Sequence, residues 1–343
     1  GTLWSSASWD ERLYAVGPVA KLLMLPVLFY HFERSARGTQ VFAAFLVSCT
    51  LLLAMSWIVA FDPALALKPE ASYGVPVKNY IDQSQEFALC AVALAYPIVT
   101  FLRTKKILQA VILIALSLSF MVNMMFVAVS RTALVTMPIM VAVFAAFHLK
   151  WRTNVVILCG VTVLIGLVWV TSPALRSKIM SFQKDYTYYK EENQPTSIGN
   201  RLEFWKKSLR FFVEAPMFGH GTGSTRRLFE QAATGSKVLV GGQVISNPHN
   251  QTLNVAIQWG LAGIVVLYAM WWLHLRLFRG EGLATWIGLL VVVQNILTSL
   301  FNSHLFDFNE GWMYVLGVGI AGGMVLSKRR GEVVLRTGNF AKS

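Results

Sequence analysis

Three groups of residues carry side chains suited to chemistry, and their types point to anions and to proton transfer. Ser130-Arg131-Thr132-Ala133-Leu134 places an arginine in a short turn between two apolar runs. A guanidinium grips phosphate with a bidentate fork, and at headgroup depth it also serves as a snorkelling anchor. The turn alone admits both readings. Gly199-Asn200-Arg201-Leu202-Glu203-Phe204-Trp205 reads as a helix start, with Asn200 as cap and Glu203 at the capping-box position. Arg201 then falls in the first turn, where unpaired N–H groups and the helix dipole already attract anions. A cation there is mildly unfavourable for the helix. Phosphate binding and plain surface charge are its two explanations. Asn247-Pro248-His249-Asn250-Gln251 reads as a second start, with Asn247 as cap and Pro248 as the first helical residue. His249 would sit in the first turn, where a helix N-terminus favours the neutral imidazole that a general base requires. The plainer reading is a polar residue that satisfies the helix end.

Fainter signals accompany these. Lys206 and Arg210 share the Arg201 helix and are candidates for binding an anionic substrate. His220 lies in Gly219-His220-Gly221-Thr222-Gly223, a turn that could cradle phosphate but lacks the preceding strand that would make the motif specific. His304, near Asp307 and Glu310, is a runner-up. His31, His148 and His274 read as interface residues. No Asp-x-Asp, Asp-x-Glu or Glu-x-Asp pair, C-x-x-C or H-E-x-x-H occurs, so neither a cofactor nor a metal is expected.

The elements that position these residues are membrane spans. The chain has 343 residues, 55% hydrophobic and 14% charged, with a mean hydropathy of +0.54. Soluble domains are less apolar and carry more charge. Disorder and a disulfide scaffold are excluded. The net charge of +13 fits membrane lipids or an anionic lipid substrate better than nucleic acid. Nine apolar runs predict spans at 14–32, 41–60, 86–103, 107–129, 132–148, 154–171, 251–273, 282–302 and 311–326. The connections 31–38, 103–106, 148–154, 276–282 and 327–330 hold 12 basic residues, and the opposite short connections hold far fewer. Positive residues mark the cytoplasmic side, so the 172–250 stretch faces outward. If the natural N-terminus is cytoplasmic, an odd number of spans precedes Gly1. Lys21 is expected to be the only ionisable group near the middle of a span, and Cys49, Cys90 and Cys159 to be packing residues inside spans.

The expected organisation is a bundle of about six spans over 1–171, an outer loop region over 172–250, three further spans over 251–330 and a cytoplasmic tail over 331–343. The loop region carries eleven Lys/Arg against six acids. Leu202, Trp205, Leu209 and Phe212 recur at helical spacing, which predicts surface helices near 201–214 and 224–234.

The ordered set of an outward Ser-Arg-Thr-Ala-Leu turn, Gly-Asn-Arg-Leu-Glu-Phe-Trp in a long outer loop and Pro-His-Asn-Gln-Thr-Leu at its end resembles the O-antigen ligase family. These are bacterial inner-membrane glycosyltransferases. The resemblance implies an all-α polytopic membrane protein, a GT-C-type helical bundle with a long periplasmic loop containing helices. It implies transfer of O-antigen from undecaprenyl diphosphate to lipid A-core oligosaccharide, metal-independent and inverting. The family's functional arginines and histidine match Arg131, Arg201 and His249. An O-antigen polymerase is the nearest alternative, although its Arg-x10-Gly spacing occurs just once, at Arg210 and Gly221. A lipid-linked sugar transporter is a further one, opposed by the scarcity of charge within the spans.

Overall fold

In the computed structural model the described residues are 1–68, 73–77, 79–192, 194–233 and 243–340. The predicted end of the second surface helix at 234, and the loop base Lys237, lie outside them. The described residues form helices and connections, with no strand among them.

The helices are α1 (Trp9–Ala20), α2 (Met24–Arg34), α3 (Gly38–Phe61), α4 (Tyr80–Ala93), α5 (Ala95–Arg103), α6 (Ile107–Phe126) and α7 (Arg131–His148). They continue as α8 (Trp151–Thr171), α9 (Pro173–Glu192), α10 (Ser197–Glu214), α11 (Ser224–Ala233), α12 (Gln251–Leu277), α13 (Leu283–Thr298) and α14 (Phe308–Phe340). Among the described residues seven segments are long and apolar enough to cross a membrane: Trp9–Arg34, Gly38–Phe61, Tyr80–Arg103, Ile107–Phe126, Arg131–His148, Gln251–Leu277 and Phe308–Gly331. The chain is a multi-pass membrane protein. The apolar run predicted at 282–302 forms a shorter helix, Leu283–Thr298. That at 154–171 is helical as α8.

One boundary differs with consequence. The third span begins at Tyr80, six residues before the apolar run, because Asn79 caps it by accepting from Ile81 N at 2.8 Å and Asp82 N at 2.9 Å. Glu86 therefore lies inside a spanning helix at 4% exposure. Lys21 remains the ionisable group nearest the middle of a span among the described residues, but Glu86 is a second one buried within a span. The packing role also fails for one cysteine: Cys49 and Cys90 are buried, but Cys159 is exposed.

The chain divides into two compact units. One holds Phe32–Ile179, Gly280–Gln294 and the chain from Met324 on. There α4 packs on α3, α6 and α7. A buried polar knot ties them: Gln83 Nε2 and Asn123 Nδ2 each donate to Ser56 Oγ at 3.0 Å, and Ser56 Oγ donates to the Gly74 carbonyl at 2.6 Å. In a bilayer such groups must pair within the protein.

The other unit holds Gly1–His31, Met180–Arg279 and Asn295–Gly323. Its amphipathic helices α10 and α11 pack on α12 around Phe204, Phe211, Phe229 and Ile257. The buried face of α10 runs through Gly199, Phe204, Ser208 and Phe211. It is rotated from the predicted Leu202/Trp205/Leu209/Phe212 stripe, and Leu209 is exposed. The phenylalanines reach the Ile257 cluster, whereas the stripe was read from hydropathy without knowing where α12 stands.

α12 is two helical segments joined at Gly260, whose φ of 61° and ψ of −152° suit glycine alone. The break leaves carbonyls and amides without helical partners. The loop after α10 supplies them: His220 N and Gly221 N donate to the Ile257 and Gln258 carbonyls, each at 2.9 Å, and Leu261 N and Ala262 N donate to the Pro216 and Met217 carbonyls at 2.8 and 3.1 Å. A Cβ on Gly260 would press on the Met217 carbonyl. Gly260→Ala is expected to lower stability by about 1–3 kcal/mol, seen as a lower midpoint of thermal unfolding in detergent. Gly160→Ala, where a Cβ meets nothing within 4 Å, should leave the midpoint in place or raise it.

Candidate functional site

His249 sits just before α12, not in its first turn. The cap of α12 is Asn250, whose side chain accepts from Leu253 N at 3.0 Å. Asn247 instead closes a tight turn, its Oδ1 accepting from His249 N at 2.9 Å. The cap moved because that turn puts His249 at φ 56°, outside helical space. A non-glycine residue held there is strained and needs support from its surroundings.

The support is a chain of amides. His249 Nδ1 lies 2.9 Å from Asn302 Oδ1, and Asn302 Nδ2 donates to Asp307 Oδ2 at 2.7 Å. A carboxylate only accepts, so it fixes which end of the Asn302 amide faces His249. That end is an oxygen, so His249 Nδ1 must donate. In the neutral ring the lone pair is then on Nε2. Asn247 reinforces this, donating to Asn302 Oδ1 at 3.0 Å and accepting from Ser303 Oγ at 2.8 Å. Below it, Asn254 Nδ2 donates to Ser303 Oγ at 3.1 Å, and Gln258 Nε2 donates to Asn254 Oδ1 at 2.9 Å. Asn302→Leu removes the acceptor for Nδ1 and is expected to lower activity roughly 10- to 100-fold, the worth of one hydrogen bond to a group that becomes charged. Comparing kcat of the two proteins checks this.

Burial pushes the His249 pKa below its usual value, the Asn302 bond pulls it up, and Arg201 and His304 push it down. Arg201 thus lies within electrostatic reach of His249. On the same helix, the Phe204 ring stands 6.3 Å from the imidazole, centre to centre. Arg201 itself is in the second turn of α10, because Thr196 is the cap, its Oγ1 accepting from Gly199 N at 3.1 Å. The dipole argument for an anion at Arg201 is therefore weaker than the sequence suggested. Glu203 is no cap either. It accepts from the Tyr189 hydroxyl of α9 and from Lys206 at 2.8 Å. Burial raises its pKa, but those two bonds outweigh it and leave the carboxyl below its usual value.

The remaining candidates are placed as follows. Lys206 is held by Glu203 and Tyr189, and Arg210 pairs with Glu214 at 2.9 Å, both on the exposed side of α10. His220 Nε2 lies 2.7 Å from the Phe211 carbonyl and must donate to it, which pins the loop to α10. Arg131 is the first residue of α7, after Ser130 in extended conformation, and belongs to the other unit. The structure brings together Arg201 and His249 and adds Asn302 and Asp307, which sequence reasoning missed. Their signal was present: Asn302 ends one apolar run, and Ser303, His304, Asp307 and Glu310 crowd the eight-residue connection to the next.

His304 Nδ1 lies 3.5 Å from Asp307 and 3.3 Å from Glu310, and one ligand atom from each of the three falls within 4.8 Å of the others. A divalent cation accepts such a donor set. The Lys21 ammonium, however, lies against the same turn, donating to the Phe306 and Asp307 carbonyls. The protein thus supplies positive charge there itself.

Residues 116–268 match the model of the O-antigen ligase family. Over that segment the chain is similar to the O-antigen ligases. The matched O-antigen ligase segment runs from within α6 to the middle of α12 and contains Arg131, Arg201 and His249. Members of the family are glycosyltransferase-like enzymes of lipopolysaccharide biosynthesis. An uncharacterized protein of Haemophilus influenzae is 24% identical over 143 residues, which span 40% of this chain and 36% of that protein. Asn302, Asp307 and Lys21 lie outside the matched segment.

Proposed function

We propose that this chain is an O-antigen ligase, moving O-antigen from undecaprenyl diphosphate to lipid A-core oligosaccharide at the periplasmic face of the bacterial inner membrane. The observation that carries the reading is the fixed tautomer of His249, with Nε2 left basic and Arg201 in electrostatic reach. In the proposed step His249 Nε2 takes the proton of the acceptor hydroxyl as its oxygen attacks the anomeric carbon. The bond from that carbon to the diphosphate breaks, with inversion, and the electron pair leaves on the diphosphate. The nascent imidazolium keeps its charge, which the Asn302 oxygen at Nδ1–H stabilises, with the Asp307 carboxylate holding and polarising the Asn302 amide. Arg201 stabilises the negative charge growing on the leaving group. Arg131 enters the proposal through the sequence resemblance alone. Lys206 and Arg210 offer general attraction to anionic lipid from the exposed face of α10.

The test is a transfer assay. Purified protein is mixed with undecaprenyl-diphosphate glycan and rough lipopolysaccharide, with EDTA present. A shift of the lipopolysaccharide on a gel supports ligation. No shift, together with lengthening of the lipid-linked glycan when it is supplied alone, makes the protein a polymerase. Neither product would leave transport or scaffolding as the activity.

A further inference from the structure

Lys21 stands in the short 3-10 turn that joins α1 to α2, inside the first candidate span, and is 8% exposed. An ammonium at that depth is costly unless something answers its charge. Its Nζ donates to the Phe306 carbonyl at 3.4 Å and to that of Asp307, and lies within electrostatic reach of the Asp307 and Glu310 carboxylates. Room for it is cut into α14: Gly311 has no side chain, and a Cβ built there would overlap Nζ. The residue it grips is the one whose carboxylate orients Asn302, and through Asn302 the ring of His249.

We propose that Lys21 is a positioning residue for the base, acting through Asp307. Asp307 and Glu310 crowd His304 with two like charges. The Lys21 ammonium offsets that repulsion and clamps the Phe306–Asp307 backbone, so the Asp307 carboxylate stays on Asn302. The inference rests on the reading of His249 as base.

The experiment compares Lys21→Met, Gly311→Ala, the double variant and His249→Ala as full-length protein in the transfer assay. Gly311→Ala keeps the lysine but sets a Cβ against its ammonium and against the Leu305 carbonyl. Each single change at these two positions should lower kcat roughly 10- to 100-fold, the loss expected for hydrogen bonds to a charged group, with KM for the lipid donor unchanged. The double variant should fall short of the product of the two single losses, since both changes remove the same Lys21 contact. In 15N spectra of histidine-labelled protein, the His249 signal, assigned by its loss in His249→Ala, should show Nδ1 protonated in the wild type and mixed tautomers in Lys21→Met. A wild-type rate in Lys21→Met, multiplied losses in the double variant, or an unchanged tautomer overturns the proposal. A rise in KM alone would make Lys21 a substrate contact and also overturn it. If Lys21→Met does not fold, Gly311→Ala decides by the same readouts. Full transfer in His249→Ala defeats the base itself. A silent His249→Ala beside an active Lys21→Met defeats this inference alone.

Discussion

With His249 as the proposed base, His249→Ala should lower the rate of glycan transfer by roughly 10²- to 10⁴-fold, the usual worth of a positioned general base. The loss should fall on kcat, because the proposed base acts on the proton in flight and not on binding of the donor. The pH dependence has a definite sign. A base works in its neutral form, so activity is present above its pKa and fades as pH falls through it. Burial is the largest influence on His249 and lowers that pKa from its ordinary value; Arg201 and His304 act in the same direction, against the Asn302 bond. The acid limb of kcat/KM should therefore have its midpoint below pH 6.5, with a plateau through neutrality. A rate–pH profile of the wild type checks it. A midpoint above 6.5, or full transfer by His249→Ala, would sink the assignment.

Arg201→Gln should cost roughly 10²- to 10³-fold in kcat, as expected when one preorganised donor to a developing negative charge is lost. Arg201→Lys should recover little of it, because an ammonium cannot offer the planar fork that matches phosphate. The same variant carries a second signature. Arg201 pushes the His249 pKa down, so removing its charge lets that pKa rise, and the acid limb should move to higher pH. A slow Arg201→Gln enzyme whose acid limb stays in place would mean that the arginine supports the helix and not the site.

The spans were largely legible in the sequence because hydrocarbon demands long apolar runs, and a run of leucine, valine and phenylalanine declares itself locally. The place where that logic failed is instructive. Glu86 was placed at the edge of a span, but the cap at Asn79 starts the helix earlier and carries the carboxylate inside. Capping is decided by one side chain, hydropathy by twenty. Arg201 and His249 were legible as residue types in the right order, but their local setting was not. Asn200 and Asn247 both fit a cap, and the structure used Thr196 and Asn250 instead. α9 was missed because Pro173–Glu192 is polar along much of its length, and the bond from Tyr189 to Glu203 of α10 is not written in hydropathy. Asn302 stood in a visible polar cluster, but its partner was not legible. Its role depends on contacts 53 residues away in sequence, and no spacing rule reaches that far.

The break in α12 bears on how this protein is made. A spanning helix usually enters the bilayer with its backbone already satisfied by its own turns. α12 cannot, because the amides and carbonyls around Gly260 find their partners in residues 216–221. Those partners lie about forty residues earlier in the chain and are translated first. When α12 leaves the ribosome, the strip that completes it has already been synthesised. Insertion of this helix is thus a two-piece assembly, and a chain with residues 216–221 deleted should stall there, exposing α12 to the quality-control proteases of the membrane even though every apolar residue of the span is intact.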